Sequence, residues 1–152
     1  MTELHIEQVD CQDLPLALLL SADPCPDQIA RYLAVGTGWR VRRSDQTLAA
    51  AILMPHTEQT WELMNIAVQP QQQGRGLGTQ LLQALIAFLR ARQVQQLLVG
   101  TGAFGYPLTF YQRAGFRVMR IEHDYFLRHY AQPLFEDGIQ HKDRLILSLA
   151  LS

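Results

Sequence analysis

The segment from residue 68 to residue 79 constrains the fold of this chain more than any other stretch. An apolar run with strand character ends at Val68, and a proline and a cluster of glutamines follow it. Three glycines then stand at alternate positions: Gly74, Gly76 and Gly78. From Leu77 the apolar side chains recur at helical spacing, so the hydrophobic pattern changes from that of a strand to that of a helix. We therefore expect a strand, a glycine-rich loop and a helix in succession.

Glycines before a helix N-terminus are typical of an anion-binding loop. The first N–H groups of a helix have no intrahelical acceptor, and the helix dipole adds positive character there. Glycine lets the backbone approach phosphate oxygens without a Cβ in the way. No Gly-Lys-Ser/Thr follows for a Walker A loop, and the spacing G-x-G-x-G differs from the dinucleotide-binding G-x-G-x-x-G. A tight turn that needs glycine for its own conformation is the alternative.

The remaining pattern predicts a domain of mixed α and β structure. Strands are predicted over residues 3–9, 39–44, 47–55, 60–68, 95–101, 116–122 and 144–151, and helices over 14–21, 27–35, 77–92 and 107–114. The three consecutive strands from residue 39 to residue 68 are joined by short turns, which favours an antiparallel meander. We therefore expect a single α+β domain over residues 1–152, with a mixed sheet flanked by helices.

Composition excludes several classes of partner. Hydrophobic residues make up 48% of the 152 residues, enough for a packed core, and 13 Lys and Arg nearly balance 14 Asp and Glu. A broad electrostatic surface for nucleic acid or an anionic membrane is therefore not expected. Residues 1–14 have no signal-peptide pattern, and the apolar stretch 14–22 is too short to span a bilayer. We expect a cytoplasmic protein in which Cys11 and Cys25 are reduced thiols.

Three segments carry a family resemblance. The spacing Gln73-x-x-Gly76-x-Gly78 resembles the pyrophosphate signature Q/R-x-x-G-x-G/A of the GCN5-related N-acetyltransferases, the acetyl-CoA-dependent GNAT family. "ELMNIAVQP" resembles the fourth strand of that family, and "FYQRAGF" resembles the Y-x-x-x-G-F segment of its fourth helix. The order of predicted elements is also similar along nearly the whole chain. The resemblance implies a mostly antiparallel sheet flanked by helices, with acetyl-CoA bound at a splayed strand pair.

The resemblance also assigns roles to individual residues. It implies cofactor contacts at Ile66, Ala67, Val68, Gln73, Gly74, Arg75, Gly76, Leu77, Gly78 and Thr79. Tyr111 takes the place of the family's general acid, with Tyr106 as a substitute and a packed core aromatic as the alternative. Glu62 takes the place of a general base, and a surface glutamate at a strand end is the alternative. Strict alternation puts Glu62 on the face of Met64, Ile66 and Val68, and a family-typical bulge would re-aim it.

Two features lie outside this pattern. Many relatives have an asparagine after the fifth strand, where this chain has Ala103, so no cofactor role is expected there. Carboxylates and imidazoles between residues 123 and 141 could suggest a metal, but their spacing fits no metal motif. We expect a polar loop beside the acceptor site, and no metal. The residues considered are His123, Asp124, Glu136, Asp137 and His141.

The resemblance implies an acetyl-CoA-dependent N-acetyltransferase acting on a primary amine of a small molecule or a protein. Transfer is expected to be direct within a ternary complex, since neither cysteine lies in a matched segment. The alternatives are a catalytically silent CoA-binding regulatory module and an enzyme that uses the glycine loop for a nucleotide phosphate. The oligomeric state stays open, a homodimer included.

Overall fold

The computed structural model describes residues 3–152. In chain order these residues form β1 (Leu4–Val9), α1 (Leu16–Ala22), α2 (Pro26–Leu33), β2 (Thr37–Arg43), β3 (Gln46–Pro55), β4 (Thr60–Val68), α3 (Leu77–Ala91), β5 (Gln96–Gly102), α4 (Tyr106–Arg113), β6 (Arg117–Glu122), α5 (Tyr125–His129), β7 (Phe135–Glu136), β8 (Ile139–Gln140) and β9 (Arg144–Ala150). Short 3-10 turns cover Cys11–Asp13 and Pro70–Gln72. Every predicted strand and helix is present, with ends that differ by at most two residues. The prediction missed α5, β7 and β8, which are too short to show a periodic pattern.

The strands pair into a mixed sheet. Seven of those in residues 3–152 follow the order β1-β2-β3-β4-β5-β9-β6, and β7 pairs with β8 in a separate hairpin. The predicted meander of β2, β3 and β4 is confirmed, since both pairs are antiparallel. The pair β4–β5 is parallel, and the other pairs are antiparallel. The sheet is therefore mixed, as the residue pattern predicts, and mostly antiparallel, as the family resemblance implies.

The parallel pair β4–β5 separates halfway along its length. Thr60–Leu63 pair with Gln96–Val99, and no pairing of these two strands follows. β4 continues to Val68 beside β3, whereas β5 continues to Gly102 beside β9. A wedge therefore opens between the two strands, and the backbone of β4 beyond Leu63 is free on the side that faces β5.

A β-bulge lies where the wedge begins. Ile52 of β3 pairs with Asn65, but the next residue, Leu53, pairs with Leu63. Met64 is therefore an extra residue in β4. A bulge bends its strand, increases the local twist and disrupts the regular ladder. It accounts for the divergence of β4 from β5 at this point.

The bulge also reverses which side chains share a face of β4. Trp61 and Leu63 before it pack into the same hydrophobic cluster as Ile66 and Val68 after it. Side chains alternate along a strand, so Glu62 points to the opposite face from Trp61 and Leu63. The expectation that Glu62 shares a face with Ile66 and Val68 is therefore wrong, because strict alternation does not hold across the extra residue.

Helices cover both faces of the sheet and hold the wedge in place. α3 buries Leu81, Leu85 and Leu89 completely on one face, at the spacing that makes one side of a helix apolar. On the other face α1 and α2 bury Leu19 and Ile29 completely. Each of these large side chains gains about 1.5–3 kcal/mol from burial.

None of the helices in residues 3–152 reaches the length and apolar character that a membrane-spanning helix requires. Cys11 is buried, Cys25 is half-buried, and both are free thiols.

Candidate active site

Two clefts meet at the wedge between β4 and β5. The larger cleft has a volume of about 490 Å³ and extends to the glycine-rich loop. The smaller cleft has a volume of about 230 Å³ and extends to the segment between β6 and β9. Four residues line both clefts: Ala22, Ile66, Pro107 and Tyr111. A group held at this junction is therefore accessible from both sides.

The N-terminus of α3 opens on the larger cleft. Its N-cap residue is Gly76, which has a φ of 79° and provides no side-chain cap. Gly74 has a φ of 78°, and both values lie in the left-handed region that suits glycine. Gln80 N–H donates to the Gly76 carbonyl at 3.0 Å, and the N–H groups before it in the first turn have no intrahelical acceptor. The glycines are therefore needed for the backbone conformation of the loop, and they also leave its N–H groups accessible.

These features fit a pyrophosphate. The first turn of α3 carries no acidic side chain that would repel an anion. A Cβ built at Gly74 or Gly76 would meet no atom within 4 Å, so both positions face open space. The free N–H groups and the helix dipole favour negative charge at this end of the helix.

The predicted cofactor residues gather around the larger cleft. Nine of the ten line it: Ile66, Ala67, Val68, Gln73, Gly74, Gly76, Leu77, Gly78 and Thr79. Gln73 Nε2 donates to the Val68 carbonyl at 3.2 Å, which ties the loop to the end of β4. Arg75 is not among the lining residues, and its exposed guanidinium donates to Gln72 Oε1 at 3.4 Å.

Tyr111 lies at the junction of the clefts. Its ring packs edge-on against Phe110 and Phe116, with centroid distances of 5.3 and 5.6 Å, and the residue is 8% exposed. Burial raises the pKa of the Tyr111 hydroxyl above the usual tyrosine value, so the group keeps its proton at neutral pH. Tyr106, the substitute considered from the sequence, is 67% exposed and lines the larger cleft but not the smaller one.

Glu62 lines the smaller cleft and has a partner that the sequence did not identify. Its Oε1 lies 2.7 Å from Nε2 of His56, which stands in the hairpin between β3 and β4. The Glu62 side chain is 16% exposed, whereas that of His56 is 38% exposed. The pair therefore connects the wall of the cleft to solvent. The hairpin turn between β3 and β4 is the signal that could have brought the two residues together.

Asp23 joins two tyrosines in the wall of the smaller cleft. The Tyr32 hydroxyl donates to Asp23 Oδ2 at 3.0 Å, and the Tyr130 hydroxyl donates to Asp23 Oδ1 at 2.9 Å. Burial is the main cause that raises the pKa of both tyrosines above the usual value. Tyr130 is 107 residues from Asp23, so no local pattern could have indicated this contact.

The segment between β6 and β9 forms another wall of the smaller cleft. The His141 ring stacks on Phe104 at 4.1 Å, and its Nε2 lies 2.9 Å from Glu136 Oε1. A Cβ at Gly102 would overlap the His141 ring, and one at Gly105 would come within 2.5 Å of the Glu136 carboxylate. The end of β5 and the loop after it therefore pack directly against this segment, and glycine at these two positions makes the close contact possible.

The polar residues considered as metal ligands do not assemble into a metal site. Within the described part of the chain, no three or more His, Cys, Asp or Glu side chains come together as a cation-binding group. His141 pairs with Glu136, and His123 lies 3.7 Å from Asp143. These residues form separate pairs around the segment that borders the smaller cleft.

Comparison with known proteins gives a consistent result. Residues 34–118 match the family model described as "Acetyltransferase (GNAT) domain". The chain is 38% identical to the uncharacterized N-acetyltransferase YvbK of Bacillus subtilis (strain 168) over 153 aligned residues, which cover 99% of each protein.

Two solved structures of similar proteins superpose closely. An IAA acetyltransferase from Bacillus cereus ATCC 14579 is 34% identical with a TM-score of 0.91, covering 97% of this chain and 99% of that one. A GNAT family acetyltransferase from Elizabethkingia anophelis, solved with acetyl-CoA bound, is 31% identical with a TM-score of 0.91, covering 97% of each chain.

Proposed function

This chain belongs to the GNAT family of acetyltransferases and uses acetyl-CoA as its cosubstrate, and from that premise we propose that it acetylates a primary amine of a small molecule or a protein. The acetyl group moves directly from the thioester to the amine within a ternary complex. The observation that carries the proposal is the junction of the two clefts, where Ile66 and Tyr111 line both of them.

The larger cleft holds acetyl-CoA in this proposal. The N–H groups at the start of α3 and the loop from Gln73 to Gly78 bind the pyrophosphate. The free backbone edge of Ile66, Ala67 and Val68 pairs with the pantetheine arm, as an added strand would. The Ile66 N–H polarises the acetyl carbonyl, and this preorganised donor stabilises the negative charge that develops on its oxygen during transfer.

The smaller cleft holds the amine. It is lined by the carboxylates of Asp23 and Glu62, which attract a cationic ammonium group. Its one guanidinium, that of Arg144, forms an ion pair with Glu122. Arg144 Nε donates to Glu122 Oε1 at 2.7 Å, Nη2 lies 2.6 Å from the same oxygen, and the guanidinium carbon lies 3.8 Å from the centre of the Tyr125 ring. The charge of Arg144 is therefore neutralised by Glu122, whereas Asp23 accepts hydrogen bonds from neutral groups, among them the hydroxyls of two tyrosines. This remaining negative charge supports an amine as the acceptor.

Two protons move when the acetyl group is transferred to the amine, which reacts in its free form. As the amine nitrogen forms a bond to the acetyl carbon, it gives one proton to Glu62, directly or through a water, and His56 at 2.7 Å lies on the solvent side of that carboxylate. The carbon–sulfur bond breaks, and Tyr111 donates its proton to the departing sulfur, which leaves CoA as the free thiol. Glu62 then releases its proton to solvent and Tyr111 takes one up, so both residues return to their starting states.

Direct transfer is supported by the position of the thiols. An acyl-enzyme route requires a nucleophilic side chain at the junction, and cysteine would be the strongest candidate. Cys11 and Cys25 are the only two cysteines, and neither lines either cleft. The amine itself is then the group that attacks the thioester.

A thiol-release assay tests this function. Acetyl-CoA is incubated with the enzyme and a panel of primary amines that includes small molecules and a lysine-containing peptide, and free CoA thiol is measured. We expect release that depends on both the enzyme and an amine. Acetyl-CoA binding in calorimetry without release for any amine would support the silent CoA-binding module instead.

Glu62→Gln tests the base. The amide keeps the shape of the side chain but cannot take a proton, so we expect turnover at pH 7 to fall about tenfold. This loss is smaller than the roughly 100-fold or more that general base catalysis typically contributes, because water remains able to carry the proton. Turnover should partly recover as the pH rises, since more of the amine is then free. The measurement is a pH–rate profile of the variant beside that of the parent.

Glu58→Gln is the matched control, because Glu58 is an exposed glutamate in the same hairpin. It should leave the profile unchanged. A Glu62→Gln profile that superimposes on the parent profile would remove Glu62 from the mechanism. A lower Tm with a rate loss that alkaline pH does not repair would indicate a structural role.

A further inference from the structure

Asn65 is one of two buried polar or charged residues in the described part of the chain, and it lies in the wall of the smaller cleft. The residue is 4% exposed. Its Nδ2 donates to the Leu19 carbonyl and to the Tyr32 hydroxyl, each at 3.0 Å. Its Oδ1 is buried and has no hydrogen-bond partner among residues 3–152. An amide oxygen in this situation is costly to bury, so the native structure should provide it with a partner.

The neighbours of Asn65 determine which atom of its amide group has no hydrogen-bond partner. A backbone carbonyl can only accept hydrogen bonds, so Leu19 requires the NH2 group. The Tyr32 hydroxyl donates its single proton to the Asp23 carboxylate, so it too must accept from Asn65. Exchanging the oxygen and nitrogen of the amide would break both bonds. The oxygen is therefore the atom without a partner, and Asp23, through Tyr32, helps to hold it in that orientation.

The position of Asn65 suggests what the partner is. It lines the smaller cleft together with Glu62, and it directly precedes Ile66, which lines both clefts. Successive residues of a strand are about 3.3 Å apart, so a group bound at Asn65 lies beside the backbone that is proposed to hold the acetyl carbonyl. A hydrogen-bond donor is required there, and the nucleophilic amine supplies one.

We infer that Asn65 Oδ1 accepts a hydrogen bond from the acceptor amine and thereby orients its nitrogen and selects primary amines. The inference rests on the proposed function of the smaller cleft. A free primary amine has two N–H groups, one for Asn65 and one for the proton path through Glu62. A secondary amine has one N–H group and cannot serve both, so it leaves the Asn65 oxygen unpaired or loses its contact with the base.

The test compares matched amines in the parent enzyme and in Asn65→Leu, which removes the oxygen but keeps a side chain of similar size. The probes are 2-phenylethylamine and its N-methyl derivative, assayed by thiol release with saturating acetyl-CoA. The aromatic residues in the cleft, Tyr125, Phe126 and Tyr130, motivate this probe. The parent should prefer the primary amine. In the variant, the ratio of kcat/KM for the primary amine to kcat/KM for the N-methyl amine should be lower by about fivefold or more. The KM for acetyl-CoA should not change.

Tyr32→Phe is the matched control. It removes one of the same hydrogen bonds, while the Leu19 carbonyl still orients the amide, so the preference for the primary amine should remain. If Asn65 only ties α1 and α2 to the sheet, both variants should lower the Tm and neither should change the ratio. That outcome would overturn the inference.

The remaining outcomes are also decisive. If Asn65→Leu does not fold, Asn65→Ala replaces it, because it removes the amide oxygen and adds no other acceptor, and the same decrease in the ratio of the two kcat/KM values is expected. Turnover with an unchanged ratio in the variant would overturn this inference alone. No turnover of any amine by the parent enzyme would overturn the proposed function and this inference with it.

Discussion

Replacing Tyr111 with phenylalanine is expected to lower turnover by about 100-fold or more, in line with the loss of a general acid. The ring and its contacts with Phe110 and Phe116 are kept, and only the hydroxyl that is proposed to donate the proton is removed. Acetyl-CoA affinity and Tm should therefore change little. Steady-state kinetics, calorimetry with acetyl-CoA and thermal unfolding measure the three quantities on the same preparation.

The raised pKa of the Tyr111 hydroxyl predicts how the activity and the stability of the enzyme depend on pH. Since burial favours the neutral phenol, the folded protein keeps this proton at pH values where an exposed tyrosine, with a pKa of about 10, begins to lose it. Activity of the parent should therefore not fall through ionisation of Tyr111 below about pH 10. The unfolded chain releases the proton first, so the contribution to stability is present below that pH and is lost as the pH rises further.

Tyr106→Phe is the control for Tyr111→Phe. Tyr106 lies five positions earlier and lines the larger cleft but is largely exposed, so its hydroxyl should be dispensable for turnover. Full activity of Tyr111→Phe together with a loss in Tyr106→Phe would transfer the role of the acid to Tyr106.

Replacing Gly76 with valine is expected to weaken acetyl-CoA binding by about tenfold to 100-fold, a loss of about 1.4 kcal/mol or more. Gly76 is the N-cap of α3 and has a left-handed φ of 79°, which a β-branched residue adopts only with strain. The strain would tilt the first-turn N–H groups, and the new side chain would stand in the open space above them. Isothermal calorimetry with acetyl-CoA measures the loss.

Gly138→Val is a matched control for the backbone strain. Gly138 has a φ of 76° and also faces open space, but it lies in the hairpin between β7 and β8. The two variants should lose comparable stability, whereas only Gly76→Val should lose cofactor affinity. If Gly76→Val is folded and binds acetyl-CoA as the parent does, the loop is not the pyrophosphate site.

The sequence by itself determined the local elements and the glycine loop before α3. Each of these depends on residues close together in the chain: the alternation in β4, the apolar stripe of α3, and the glycines between them. Gly74 and Gly76 adopt the left-handed conformations that make glycine necessary in such a loop. Short-range backbone preferences and hydrophobic periodicity can be recognised in a single sequence. For this reason the ends of the predicted elements differ from the observed ends by two residues or fewer.

The tertiary structure decided how the side chains of the smaller cleft are arranged. The bulge at Met64 arises from the pairing of β3 with β4, and it placed Glu62 on the face opposite to the one that alternation predicts. Asn65 bonds to a residue 46 positions away, and Asp23 bonds to one 107 positions away. Such contacts depend on strand register and helix packing over long separations, and no local pattern encodes them. The glycine loop that is proposed to bind the pyrophosphate could therefore be predicted from the sequence, whereas the cleft that is proposed to hold the acceptor required the folded chain.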